Sequence, residues 1–292
     1  SSAASDVYKR QMVCFIEHYQ SENKVLREWA FIALAFAAAI KGYPAIFGIL
    51  LIWEKRWKEA IRLMIYGLLF CFGPFALIGT GFKYNITQWL VNLGENGEKY
   101  MFTHNPRFGY LFFLSQMKSG DTRDMWNEVL KIIFYILAII GIIVISKQKT
   151  CWKKAAMLVS IIILLPTNSG FYCGLYLFPI VVLFFNEEEH NWLDILYMLS
   201  MIVILNPFQL MTKKGVNITL TATNIAMFVF AGLLLIDNIV NFIRVLIEQH
   251  KNKIRIKGAL PDQKSSFNCA TSAATASGSK ASTSSLEEKP KP

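Results

Sequence analysis

Long apolar blocks separated by short charged turns fill the chain from residue 29 to residue 245. Seven are long enough, or nearly so, to span a bilayer: 29–52, 60–80, 128–146, 152–168, 171–186, 192–210 and 221–245. At ~1.5 Å per residue, about 20 residues cross a ~30 Å hydrocarbon core. The pattern therefore predicts an all-α, polytopic membrane helix bundle with about seven visible spans. The fifth block is short and holds Pro179, so it is expected to tilt or to cross only part of the way.

One long connection, 81–127, interrupts the blocks. Within "ITQWLVNLGENGEKY" the apolar residues Ile86, Trp89, Leu90 and Leu93 fall at helical spacing. That predicts an amphipathic helix on the membrane surface. "NPRFGYLFFL" then leads back toward the bilayer.

Composition agrees with the pattern. Of 292 residues, 54% are hydrophobic and only 17% charged, against about 25% charged in soluble domains. The net charge of +10 does not point to nucleic acid, because no nucleic-acid motif accompanies it. Much of it lies in short turns. "EKRWKEAIR", "SKQKTCWKK" and the basic segment after the last block, "RVLIEQHKNKIRIK", fall on one side of a seven-span bundle. Lys and Arg in short loops mark the cytoplasmic side. The expected arrangement is a multi-pass plasma-membrane protein with its visible N-terminus outside and its C-terminus cytoplasmic. The acidic "NEEEHN" falls on the basic side, but Asp and Glu weigh little in this rule.

The ends differ in character from the middle. "DVYKRQ" back-translates to a string resembling the end of a transposase sequencing adapter, so residues 1–11 are read as an artefact. Residues 12–257 form the integral-membrane domain. Residues 258–292, rich in Ser, Ala, Thr and Lys, are expected to be a disordered tail. The cysteines Cys14, Cys71, Cys151, Cys173 and Cys269 show no metal or disulfide spacing. N-x-T triplets at Asn85 and Asn217 matter only where secretory proteins are glycosylated.

Lys41 is the residue the pattern least explains. It lies twelve positions from both Trp29 and Trp53, or about 18 Å from each along a straight helix. Snorkelling that far is difficult, and a mid-bilayer charge costs about 2.5–3.5 kcal/mol on insertion scales. Lys41 should therefore face the bundle interior, a wet cavity or an anionic partner. Pro44, in "KGYP", should kink the helix beside it. The functional reading is an ammonium that binds a lipid phosphate, and the bland one is a lysine paired for packing. Asp237 in the last block is either Lys41's buried partner or an interfacial residue.

The outer loop offers His104, Arg107 and the aromatics Tyr100, Phe102, Phe108 and Tyr110. Aromatic faces stack on sugars and Arg binds phosphate bidentately, but the same residues suit an interfacial belt. In "LLPTNSGFYCGLYLFP", Thr167, Asn168, Ser169 and Tyr172 either line a cleft or only make a turn. No nucleotide-binding loop, zinc-hydrolase motif or serine-hydrolase elbow occurs, so neither a cofactor nor a metal is expected.

Residues 31–79 carry an apolar run, "K-x-Y-P" (Lys41, Gly42, Tyr43, Pro44), a second apolar run and the basic turn "EKRWKEA". This stretch resembles glycosyltransferase family 87. The later "LYLFPIVVLFF" and "ILNPFQ" are consistent with it. The resemblance implies a multi-spanning GT-C-type transferase. Such enzymes move a sugar, mannose- or arabinose-like, from a polyprenyl-phosphate donor to a glycolipid or polysaccharide of the cell envelope on the outer face. It implies an aspartate base in the first outer loop, which would fall upstream of Trp29. Residues 12–29 hold Glu17, Glu22 and Glu28 but no Asp, so the base is expected upstream of this chain. Lys41 and Arg107 are the candidates for the donor phosphate, and Tyr43, His104, Tyr110, Thr167, Asn168 and Tyr172 for the substrate cleft.

A rival reading is a transporter or lipid flippase with Lys41 and Asp237 on the path. Transporters usually carry paired broken helices, whereas "KGYP" occurs once. A non-catalytic assembly subunit is a third reading.

Overall fold

A computed structural model of the chain describes residues 2–101, 108–115, 117, 120–165, 171–188, 190–206 and 218–259. The predicted all-α class holds: among the described residues there is no strand. Those residues form eleven α-helices: α1 (Ser2–His18), α2 (Lys24–Lys41), α3 (Ile49–Trp53), α4 (Trp57–Leu77), α5 (Phe82–Met101), α6 (Tyr110–Ser115), α7 (Asp121–Ile145), α8 (Cys151–Leu164), α9 (Phe178–Phe185), α10 (Trp192–Ile204) and α11 (Ile218–Ala259). Two 3-10 helices, Tyr43–Gly48 and Phe171–Leu177, precede α3 and α9. By contact the chain divides into a unit ending at Ile243 and a second unit from Arg244.

Three helices among the described residues are long and apolar enough to cross a membrane: Trp57–Leu77, Asp121–Ile145 and Ile218–Ile254. They match the second, third and seventh predicted blocks. Their outward faces are apolar; α4 exposes Ile61, Met64, Ile65, Leu68 and Leu69. Greasy surface on this scale is stable against lipid, not against water. The fourth and sixth blocks form helices of 14 and 13 described residues, about 20 Å each and short of a ~30 Å core. In the fifth, Pro179 stands in the first turn of α9. There its missing N–H costs nothing, because first-turn donors have no intrahelical partner.

The centre of the first unit is α8, the element most fully buried. Trp152 and every residue from Ala155 to Leu164 are hidden. A helix apolar all round is stable only when neighbours cover it. Trp152 packs edge-on against Phe184 of α9 and Tyr197 of α10, with ring centroids 5.0 and 5.3 Å apart. Met157 and Ile161 press toward Gly141 of α7, where a side chain would collide with the Met157 methyl.

The first predicted span is not one helix. α2 stops at Lys41, and residues 43–53 return as a 3-10 helix followed by α3. The two ends of this hairpin meet. Tyr19 donates its hydroxyl to Glu54 Oε1 at 2.9 Å, and Gln20 donates to the same oxygen at 2.6 Å. Arg56 donates to the Tyr19 carbonyl at 2.7 Å. Residues 19 and 20 therefore share an end with the basic 54–62 turn, and the expectation that a single span separates them is overturned. Further along, Glu28 of α2 pairs with Arg62 and accepts from Tyr66 at 3.2 Å. Phe36 meets Phe70 edge-on at 5.6 Å. α2 and α4 thus run in the same direction, with the returning arm between their ends.

α1 runs unbroken through residues 2–18, past the boundary drawn at residue 11. Its Met12, Phe15 and Ile16 are buried, and the Phe15 ring lies tilted against Phe31 of α2 with centroids 6.3 Å apart.

Candidate functional site

Gly42 makes the break beside Lys41. It caps α2 at φ 71°, ψ −55°, donating its N–H to the Ala38 carbonyl. That conformation is near the γ-turn geometry that only glycine adopts cheaply. Pro44 then enters the 3-10 helix at its first positions, where no N–H is needed. The expected proline kink is therefore a full reversal, and glycine is its cause. Lys41 becomes the last residue of α2. There its ammonium offsets the partial negative charge of the helix C-terminus. Lys41 is half-buried, and its Nζ lies 5.8 Å from the centre of the Tyr43 ring. That ring meets Tyr176 edge-on at 6.4 Å, and Tyr176 is fully buried.

Below this tip a cavity of about 700 Å³ opens between α2, the returning arm and α4. Small residues create it: Ala35, Ala38, Gly42, Ala45, Gly48 and Gly67 all line it. The lining carries no charged side chain. The result is an apolar groove lined in part by Gly42, the next residue in the chain after Lys41. Such a groove suits a hydrocarbon chain whose head group is anionic.

A second segment closes in at the same end. Gly109, at φ 86°, lies so close to α8 that a Cβ there would be 2.9 Å from the Leu164 carbonyl. Its N–H donates to buried Asn224 Oδ1 at 3.2 Å. Next to it, Tyr110 is buried, with its ring 5.1 Å from Phe134. Its hydroxyl has no hydrogen-bond partner among the described residues.

The sequence model of glycosyltransferase family 87 matches residues 13–167. The chain belongs to glycosyltransferase family 87. No curated protein and no solved structure matches it. The match takes in the broken helix, the groove and the segment around Tyr110, and membership makes this chain a membrane glycosyltransferase.

Of the expected site residues of this family 87 chain, the structure describes Lys41, Tyr43 and Tyr110. Lys41 and Tyr43 come together. Tyr110 is packed in the core beside Phe134, not open on a cleft. His104, Arg107, Thr167 and Asn168 lie outside the described residues, as does the Tyr172 side chain.

Asp237 does not partner Lys41. It pairs with Lys153 of α8 at 2.7 Å and accepts from the Tyr197 hydroxyl at 3.5 Å. The Lys153 ammonium also lies over the Trp152 and Tyr197 rings, 5.5 and 6.0 Å from their centres. At the next residue of α11, Gln148 donates to Asn238 Oδ1 at 2.9 Å, and Asn238 donates to the Leu234 carbonyl. In the sequence Lys153 reads only as one of the basic residues that orient the bundle. The one signal for it was its place beside Trp152 at the start of an apolar run.

The end opposite the groove tip is polar. There burial, reinforced by the neighbouring Glu54 carboxylate, pushes the Tyr19 phenol well above its usual range. Burial likewise raises the Cys151 thiol, with Glu187 and Glu54 adding to it and Lys154 opposing. These groups bring the first turn, the start of α8 and the turn after α9 to one end.

Proposed function

We propose that this family 87 protein transfers a sugar from a polyprenyl-phosphate donor to a glycolipid or polysaccharide acceptor of the cell envelope, on the outer face of the membrane. The observation that carries the reading is the position of Lys41 at a helix break, beside Gly42, which lines an apolar groove. The groove accommodates part of an isoprenoid chain. Lys41, with Arg107 as its candidate partner, meets the donor phosphate.

The chemistry asks for this pairing. A base takes the acceptor hydroxyl's proton, the oxygen attacks the anomeric carbon, and polyprenyl phosphate departs with the bonding electrons. A cation beside the leaving phosphate stabilises the charge that develops there. The hydrocarbon chain meanwhile fixes the donor at the membrane, so that attack is no longer a free encounter. Tyr43 stands on the Lys41 side of the tip and is the candidate for stacking on the sugar.

The test is transfer from a synthetic polyprenyl-phosphate sugar by the membrane-inserted protein. Lys41→Ala should reduce kcat/KM by about 100-fold or more, as loss of a transition-state charge contact does, with expression unchanged. Lys41→Arg should recover part of it. Wild-type turnover in Lys41→Ala would overturn the assignment.

A further inference from the structure

We infer that the part of α11 beyond Arg244 is a docking segment for anionic lipid head groups. The observations come from this unit alone. From 244 to 257 the sequence holds Arg244, Lys251, Lys253, Arg255 and Lys257 against one acid, Glu248. The helix continues through Ala259. Arg244, Lys251 and Lys253 are exposed, and so are Leu246, Ile247 and Ile254.

The register sorts these residues. At about 100° per residue, Ile247 and Ile254 fall on one stripe. Arg244 and Lys251 lie about 60° to one side of it and Lys253 about 100° to the other. Apolar side chains flanked on both sides by basic ones are what a helix needs at a lipid head-group layer. The apolar atoms enter the acyl boundary, and the long basic side chains reach phosphates. Each Lys or Arg near an anionic surface contributes favourably, and the effect fades within a Debye length.

Two features select a bilayer over other polyanions. The candidate span Ile218–Ile254 itself takes in residues 244–254, so this part of the segment belongs to an apolar stretch fit for a bilayer. Nucleic acid would also satisfy the basic residues. It would leave Leu246, Ile247 and Ile254 exposed to water.

The experiment is amide hydrogen exchange of the segment in the full chain, held in lipid nanodiscs. Discs of phosphatidylcholine are compared with discs containing about 30% phosphatidylglycerol, which supply anionic head groups. We expect exchange over 244–257 to slow about tenfold in the anionic discs. High salt should reverse the slowing, because it screens the contact. The combined variant Arg244→Gln, Lys251→Gln, Lys253→Gln, Arg255→Gln and Lys257→Gln should show no slowing. Equal exchange in the two discs overturns the inference. Slowing that persists in the variant also overturns it, since charge would not be the cause. Equal protection by single-stranded RNA in phosphatidylcholine discs would assign the segment to nucleic acid instead. Sugar transfer is not read in this experiment, so its outcome is independent of the catalytic assignment.

Discussion

Lys153 Nζ and Asp237 Oδ2 are 2.7 Å apart, and their side chains are only 13% and 22% exposed. The pair ties the start of the central helix α8 to α11. Removing one partner leaves the other charge poorly solvated, which costs about 3 kcal/mol once partial exposure is allowed for. Lys153→Met should therefore lower the melting temperature markedly in detergent or nanodiscs. Lys153→Met with Asp237→Leu should recover most of the loss, because a buried ion pair is replaceable by apolar groups of similar size. Two additive losses in this double-mutant cycle would show that the residues are not coupled.

Gly42 should resist substitution although no atom lies within 4 Å of where a Cβ would stand. The penalty is backbone strain at φ 71°, about 1–3 kcal/mol. Gly42→Ala should lower thermal stability by that amount and weaken donor binding, because it disturbs the backbone beside Lys41. A fully stable Gly42→Ala protein would contradict the positive φ.

The hairpin has a topological consequence. Glu22 and Lys58 are exposed near the two joined ends. In a chain whose own cysteines are replaced by serine, Glu22→Cys and Lys58→Cys should both react with a membrane-impermeant maleimide from the same face of sealed vesicles. Labelling from opposite faces would restore the single span.

Asn85 is committed to the fold. Its Nδ2 donates to the Phe75 carbonyl at 3.0 Å and to the Ile78 carbonyl at 3.3 Å, two acceptors at the end of α4. Thr80 donates to its Oδ1. A glycan on Nδ2 would break this clamp. Expression in a glycosylating host should therefore leave Asn85 unmodified, as read by the mass of its tryptic peptide. Asn85→Ala should cost about 1 kcal/mol in a thermal melt.

The sequence made the membrane bundle legible because apolar blocks about 20 residues long allow little else. It made α5 legible too: the spacing of Ile86, Trp89, Leu90 and Leu93 predicts the helix that is observed. Its placement was less legible. Trp89 packs on Phe72 and Phe75 of α4, at 6.4 and 5.9 Å, so its apolar stripe is partly used within the protein.

Other features were ambiguous by nature. Hydropathy counts apolar residues and is blind to one glycine in a γ-turn conformation, so residues 29–52 looked like a single span. Charge counting located the basic turns. It did not say that Lys153 would find Asp237, because that contact joins positions 84 residues apart. Tyr110 has the chemistry of a cleft residue. In the structure its ring is buried beside Phe134.

The solvent this chain folds in, its helical class and its family signature around Lys41 are all readable along the chain. All three depend on local composition and spacing, which survive without knowledge of contacts. The tertiary structure decided which way the chain turns at Gly42, what lies under Lys41 and which acid meets which base. Those depend on packing between distant segments, where one φ angle or one small side chain sets whether a span continues, reverses or opens a groove.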